Sequence, residues 1–144
     1  MPQPSCDAVV VPTGESVTGC EWLVDADGCT EESLRSRECL EALCNRIVSE
    51  LGLHVIGLPL WRRFPEPGGV TGLYLLSESH LACHTWPEHG VATFNLFCCR
   101  RPQEWPWELR LRESLGSRHV VVRTVKRGTP ALPDTDSAAA GGDS

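Results

Sequence analysis

Leu81-Ala82-Cys83-His84-Thr85-Trp86-Pro87-Glu88-His89-Gly90-Val91-Ala92-Thr93-Phe94-Asn95-Leu96-Phe97-Cys98-Cys99 sets two apolar runs on either side of a four-residue break. Strand side chains alternate between faces, so Ala92, Phe94, Leu96 and Cys98 share one side, and Thr93, Asn95, Phe97 and Cys99 the other. Pro87 closes the first run and His89-Gly90 turns the chain. A connection this short joins antiparallel neighbours, so the stretch predicts strands at Leu81–Trp86 and Val91–Cys99 paired as a hairpin.

Upstream, Val70–Leu76 and Leu53–Leu60 read as strands separated by a Pro/Gly loop, Arg62 to Gly69. Thr30 caps a helix predicted from Glu31 to about Leu51. Glu31 and Glu32 suit its positive end, and Leu40, Leu43, Cys44, Ile47, Val48 and Leu51 recur at helical spacing before Gly52. A strand is predicted at Val17–Val24, turning at Asp25-Ala26-Asp27-Gly28. A helix over Trp105–Leu115 and a β-branched strand over Arg118–Lys126 complete the order. Strand, helix, several strands, helix, strand with short connections predicts an α/β (α+β) two-layer sandwich, a mainly antiparallel sheet with helices on one face. The expected organisation is an N-terminal extension (1–16), one domain (17–128) and a disordered tail (129–144).

Across 144 residues, 41% hydrophobic content supports one packed core. The formal charge is −6, with half of it on Asp134, Asp136 and Asp143 of the tail. No basic surplus points to nucleic acid, no apolar run is long enough to span a membrane, and no basic-then-apolar start marks a signal. The expectation is a soluble cytoplasmic protein without a nucleic-acid or membrane partner. Its eight cysteines, irregularly spaced, are expected to be free thiols and mostly core residues.

Ser77, Glu78, Ser79, His80, Cys83, His84, Glu88 and His89 concentrate hydroxyl, carboxylate, thiol and imidazole groups around one strand. Residue types alone leave four readings open: a polar connection with satisfied histidines, a metal site, a serine hydrolase using Ser79 or Ser77 with His84, and self-cleavage. His80 and His84 are four strand residues apart, about 13 Å, too far to share an ion along a straight strand. No G-x-S-x-G elbow is present. In self-cleavage, a serine attacks the preceding carbonyl, a base removes its α-proton, and the dehydroalanine left behind hydrolyses to a pyruvoyl group.

The run LLSESHLACHTWPEHG followed by VATFNLFCC, with RRFPEPGGVTG upstream, resembles the signature of the small prokaryotic S-adenosylmethionine decarboxylases. The likeness is strongest from Arg63 to Cys99 and extends weakly from Gly19 to Arg127. It implies cleavage between Glu78 and Ser79, with Ser79 becoming the pyruvoyl group, which takes the substrate amine through a Schiff base in place of pyridoxal phosphate, and with no metal expected. It further implies that His84 abstracts the Ser79 α-proton and that Cys99 returns a proton to the substrate. Glu88 then binds ribose hydroxyls and Phe64 stacks on adenine. His80 orients the turn or takes part in the chemistry, and Cys98 is a core residue. The implied product is decarboxylated S-adenosylmethionine for spermidine synthesis, made from a small-molecule substrate by a homodimer of processed protomers.

Four positions depart from the family pattern. Thr71 stands where a processing serine is usual, and its added methyl is expected to slow maturation. Asn95 replaces an aspartate, Arg62 a histidine, and Gly19-Cys20-Glu21-Trp22 a Gly-x-His run. These departures leave decarboxylation of free ornithine or arginine, or a non-catalytic binding or regulatory role, as alternatives.

Overall fold

The computed structural model describes residues 9–10, 16–17, 19–99 and 104–128. Two short strands, β1 (Val9–Val10) and β2 (Ser16–Val17), pair with each other. Six more form one sheet: β3 (Gly19–Asp27), β4 (Leu60–Arg63), β5 (Val70–Leu75), β6 (Ser79–Trp86), β7 (Val91–Cys98) and β8 (His119–Arg127). Their order is β4-β5-β6-β7-β3-β8, antiparallel at every pairing. Helices α1 (Glu31–Arg35), α2 (Arg37–Glu50) and α3 (Trp107–Leu115) pack on one side. The structure is therefore the α+β sandwich expected. The 1–16 extension is described only at Val9–Val10 and Ser16, and the 129–144 tail lies outside the described residues.

Alternation decides which face is covered. Trp22, Val24, Ala26, Phe94, Leu96, Leu81, Cys83, Val70 and Tyr74 point toward the helices and meet Leu34, Leu40, Leu43, Ile47, Leu111 and Leu115. Burying each such leucine completely is worth about 1.5–3 kcal/mol, so the shared face holds the layers together. Of the seven described cysteines, Cys20, Cys29, Cys44, Cys83 and Cys98 are buried. Cys44, hydrogen-bonded to Cys83 and sealed in the core, has its thiol pushed well up. Burial likewise raises the Tyr74 phenol, which donates to Asn45 Oδ1 at 2.7 Å.

Three local readings are corrected. The single helix from Glu31 to Leu51 is two helices: Thr30 caps the first as expected, but Ser36 ends it and caps the second by accepting from the Cys39 amide at 3.1 Å. A serine side chain that competes for backbone amides in this way breaks a helix where the hydrophobic period runs on unchanged. Leu53–Leu60 is not a strand; it makes one bridge, Val55 to Leu76, and pairing begins only at Leu60. Ile56, Leu58 and Leu60 are exposed, so the apolar run is a surface segment. At β3, pairing runs through Ala26 with β7 and through Asp27 with β8, displacing the turn expected at Asp25 to Gly28.

Candidate active site

The polar residues of the central segment divide into two groups at opposite ends of β6. At its C-terminal end, register sets Thr71 of β5 opposite His84 of β6 on the uncovered face. Thr71 Oγ1 and His84 Nδ1 lie 3.0 Å apart, so the added methyl of threonine does not keep the hydroxyl from the ring. Thr85, the next residue, faces inward and is buried. Its hydroxyl accepts from the Val70 amide at 2.9 Å and donates to the Leu34 carbonyl at 2.7 Å, tying β5, β6 and α1 together.

A cleft of about 330 Å3 opens here, lined by Phe64, Pro65, Pro67, Gly69, Thr71, His84, Thr85, Trp86 and Glu88. Phe64 and Trp86 are half exposed, giving the cleft two aromatic surfaces. The Arg62 guanidinium lies 4.9 Å from the Phe64 ring centroid, within cation–π range. Glu88 sits in a short 3-10 turn, Pro87–His89, ended by Gly90 in the left-handed region at φ 65°. Any side chain at Gly90 would also press on the Cys29 carbonyl, 3.2 Å from a Cβ placed there. At Gly69 a Cβ would lie 2.5 Å from the Thr85 carbonyl oxygen, so only glycine lets the loop cross β6 this closely.

The other group lies at the N-terminal end of β6. Ser77 and Glu78 form the turn between β5 and β6, closed by the Leu76 amide donating to the Ser79 carbonyl at 3.0 Å. Cys99, one residue beyond the end of β7, donates its thiol to the Glu78 carbonyl oxygen at 2.8 Å. This is the carbonyl of the Glu78–Ser79 peptide bond. His80 is stacked on Phe97 with centroids 5.4 Å apart and planes 4° apart, so its ring packs along the sheet. Cys98 is buried in the core. Asn95 does not leave its strand position without a carboxylate: its amide donates to Glu21 Oε1 at 3.2 Å, and Glu21 is also paired with Arg127.

The family resemblance implies that Ser79, His84 and the Thr71 hydroxyl act at one site. The structure joins Thr71 to His84 and Cys99 to Glu78, but it separates the two pairs along β6. Five strand residues span about 16 Å, and strand alternation turns Ser79 toward the core-facing side while His84 faces out. Trp86 and Thr85 escaped the sequence reading, although alternation along β6 foretells one outward and one inward. Arg35 left no sequence signal beyond an ordinary i,i+4 pair with Glu31. Among the described residues no group of three or more His, Cys, Asp or Glu side chains is arranged to hold a metal ion.

Similarity to known proteins defines the class, a decarboxylase-type enzyme. The family model for S-adenosylmethionine decarboxylase matches residues 20–128. The chain is 35% identical over 117 residues to the S-adenosylmethionine decarboxylase proenzyme of Prochlorococcus marinus (strain MIT 9313), an alignment covering 80% of this chain and 91% of that protein. It is also 35% identical over 112 residues to the proenzyme of the same name from Caldicellulosiruptor saccharolyticus, covering 76% and 88%. The crystal structure of the adenosylmethionine decarboxylase from Aquifex aeolicus VF5 superposes with a TM-score of 0.66 at 25% identity, over 81% of this chain and 96% of that one. The chain belongs to the S-adenosylmethionine decarboxylase family.

Proposed function

We propose that this protein is a self-processing, pyruvoyl-dependent decarboxylase that converts S-adenosylmethionine to decarboxylated S-adenosylmethionine and carbon dioxide, supplying spermidine synthesis. The observation that carries the reading is the Cys99 thiol donating to the Glu78 carbonyl oxygen at 2.8 Å. Ser79 Oγ attacks that carbonyl carbon, and negative charge develops on the oxygen Cys99 already faces. Collapse breaks the C–N bond and leaves an ester between Glu78 and Ser79. Removal of the Ser79 α-proton then expels the Glu78 carboxylate, and hydration with loss of ammonia completes the cut. The residues present therefore suit formation of a pyruvoyl group at Ser79. That group supplies an electron-withdrawing carbonyl for the substrate amine, so that the carboxylate is lost without pyridoxal phosphate. Cys99, beside the new terminus, is the donor that returns a proton to the substrate α-carbon.

His84 is the base for the α-proton. That role uses the tautomer in which Nδ1–H donates to Thr71 Oγ1, 3.0 Å away, and Nε2 carries the lone pair. At about 16 Å along the strand, it does not reach the Ser79 of its own chain. The reading therefore includes a homodimer in which His84 and Thr71 of one copy serve the cleavage site of the other. The helix-free face supports such pairing. Leu60, Leu73 and Leu75 near one edge of it and Val121 and Val125 on the opposite edge are exposed apolar residues that a second copy of the same sheet would cover. The cleft beside His84 then takes the nucleoside, with Phe64 against adenine and Glu88 accepting the two ribose hydroxyls.

Intact mass under denaturing conditions tests processing: two fragments divided between Glu78 and Ser79 are expected, the second beginning with pyruvate. Carbon dioxide release from S-adenosylmethionine, ornithine and arginine then tests the substrate. Release from S-adenosylmethionine alone is the expected result; release from either amino acid instead overturns the nucleoside assignment, and an uncut chain overturns self-processing.

A further inference from the structure

The pocket wall that carries Phe64 is tied to a helix that lines no part of the cleft. Arg35, the last residue of α1, donates from Nε to the Pro67 carbonyl at 2.9 Å. Its Nη2 lies 3.4 Å from Glu66 and 2.6 Å from Glu31. The aliphatic stem of Arg35 passes beside Gly68, where a Cβ would lie 3.5 Å from Arg35 Cγ and where a φ of 82° suits glycine. One guanidinium thus holds a backbone carbonyl and a carboxylate of the 64–69 loop at once, while Glu31 fixes the guanidinium. Arginine's planar fork is suited to several directed contacts of this kind, in a way that a lysine ammonium is not.

Helix α1 is itself fixed where the loop needs it. Leu34 is fully buried, and its carbonyl accepts the Thr85 hydroxyl beside His84. The anchor therefore runs from the core, through Leu34 and Arg35, to the loop holding Phe64, Pro65 and Pro67 in the cleft wall. The break at Ser36 lets this five-residue helix take a direction of its own, separate from α2.

We infer that Arg35 is a positioning residue for substrate binding: it holds the 64–69 loop closed against β6 so that Phe64 presents its ring to the cleft. This rests on the S-adenosylmethionine reading for the ligand, but the loop anchor stands apart from it. The test uses the full-length, processed protein and its Arg35→Gln and Arg35→Lys variants. The first readout is the rate at which trypsin cuts after Arg62 or Arg63 in the folded protein, followed by mass. The second is the KM and kcat for S-adenosylmethionine.

For Arg35→Gln, tryptic cleavage at the loop is expected to rise about tenfold, and KM about five- to twentyfold with kcat within about twofold. Arg35→Lys keeps the charge facing Glu31 and Glu66 and is expected to fall between wild type and Arg35→Gln in both readouts. Unchanged cleavage in Arg35→Gln overturns the anchor. Raised cleavage with unchanged KM overturns its role in binding. A parallel fall of kcat and stability in both variants makes Arg35 a general structural residue and also overturns the inference. If the wild-type protein does not turn over S-adenosylmethionine, the substrate reading fails, and the proteolysis result still decides the anchor.

Discussion

The Cys99 thiol and the Glu78 carbonyl oxygen are hydrogen-bonded at 2.8 Å across the end of the β6–β7 pairing. The two residues lie 21 positions apart in the chain, and the Ser79–Cys98 register brings them together. If this bond steadies the oxyanion of self-cleavage, Cys99→Ala is expected to slow maturation about tenfold to a hundredfold, with Cys99→Ser falling between it and wild type. The fraction of cut chain, followed by intact mass from the time of purification, measures this. Cys99→Ala maturing at the wild-type rate rules out the oxyanion role and leaves the thiol only its part in turnover.

Thr71 is expected to matter through its hydroxyl, not its methyl. The 3.0 Å contact with His84 Nδ1 is already made by threonine. Thr71→Ser is therefore expected to mature within about threefold of wild type, whereas Thr71→Val, which keeps the shape and removes the hydrogen bond, slows it at least about tenfold. A large acceleration in Thr71→Ser would show that the methyl hinders the ring after all. The same mass time course distinguishes these outcomes.

The sheet was legible in the sequence wherever one face is buried. Val91 to Cys98 alternates cleanly because Phe94 and Leu96 meet the helices while Thr93 and Asn95 do not. Leu53 to Leu60 misled because exposed leucines look the same in sequence as buried ones. The helix break at Ser36 was hidden because the apolar spacing continues through it, and only the side-chain cap reveals the change. At the site, residue types singled out Ser79, His84 and Glu88, and the family resemblance added Phe64, Thr71 and Cys99 as candidates. They did not reveal that these fall into two groups: the strand predicted at Leu81–Trp86 leaves Ser79 out, and only its observed start at Ser79 puts Ser79 and His84 on opposite faces. The role of Arg35 was hidden for a different reason: its pairing with Glu31 is an ordinary i,i+4 helix pair, and its loop partners, a backbone carbonyl and a carboxylate about thirty residues away, leave no local pattern.

Cys29 predicts a loss of stability at alkaline pH. Burial, reinforced by Asp27, pushes its thiol up from 9.0 to about 11. Below the unfolded-state value both states keep the proton and the full stability is present. As pH rises from about 9 to 11, the unfolded chain gives up a proton that the fold retains, so stability falls. Tm is expected to decline across this window, and the decline to be shallower by roughly 5–10 °C in Cys29→Ala. It should not vanish, because the Cys39 and Cys44 thiols are raised as well. An identical slope in the variant would remove Cys29 as a contributor. Thermal melts at pH 8, 9.5 and 11 suffice.

The separation of Ser79 from His84 leads to a prediction that only a composite site meets. Ser79→Ala has no nucleophile and His84→Ala no base, so each variant alone is expected to stay uncut. Mixed during expression, they form heterodimers in which the intact Ser79 of the His84→Ala chain faces the intact His84 of the Ser79→Ala chain. Equal amounts and random pairing put about half of the His84→Ala chains in such a dimer, and that half is expected to be cleaved. The Ser79→Ala chain stays whole. Tags of different mass on the two chains let a single spectrum report which was cut. No cleavage in the mixture, with heterodimers demonstrated by pull-down through one tag, means that His84 serves its own chain. The β6 geometry would then have to change before processing, because about 16 Å of extended strand admits no direct proton transfer between the two residues.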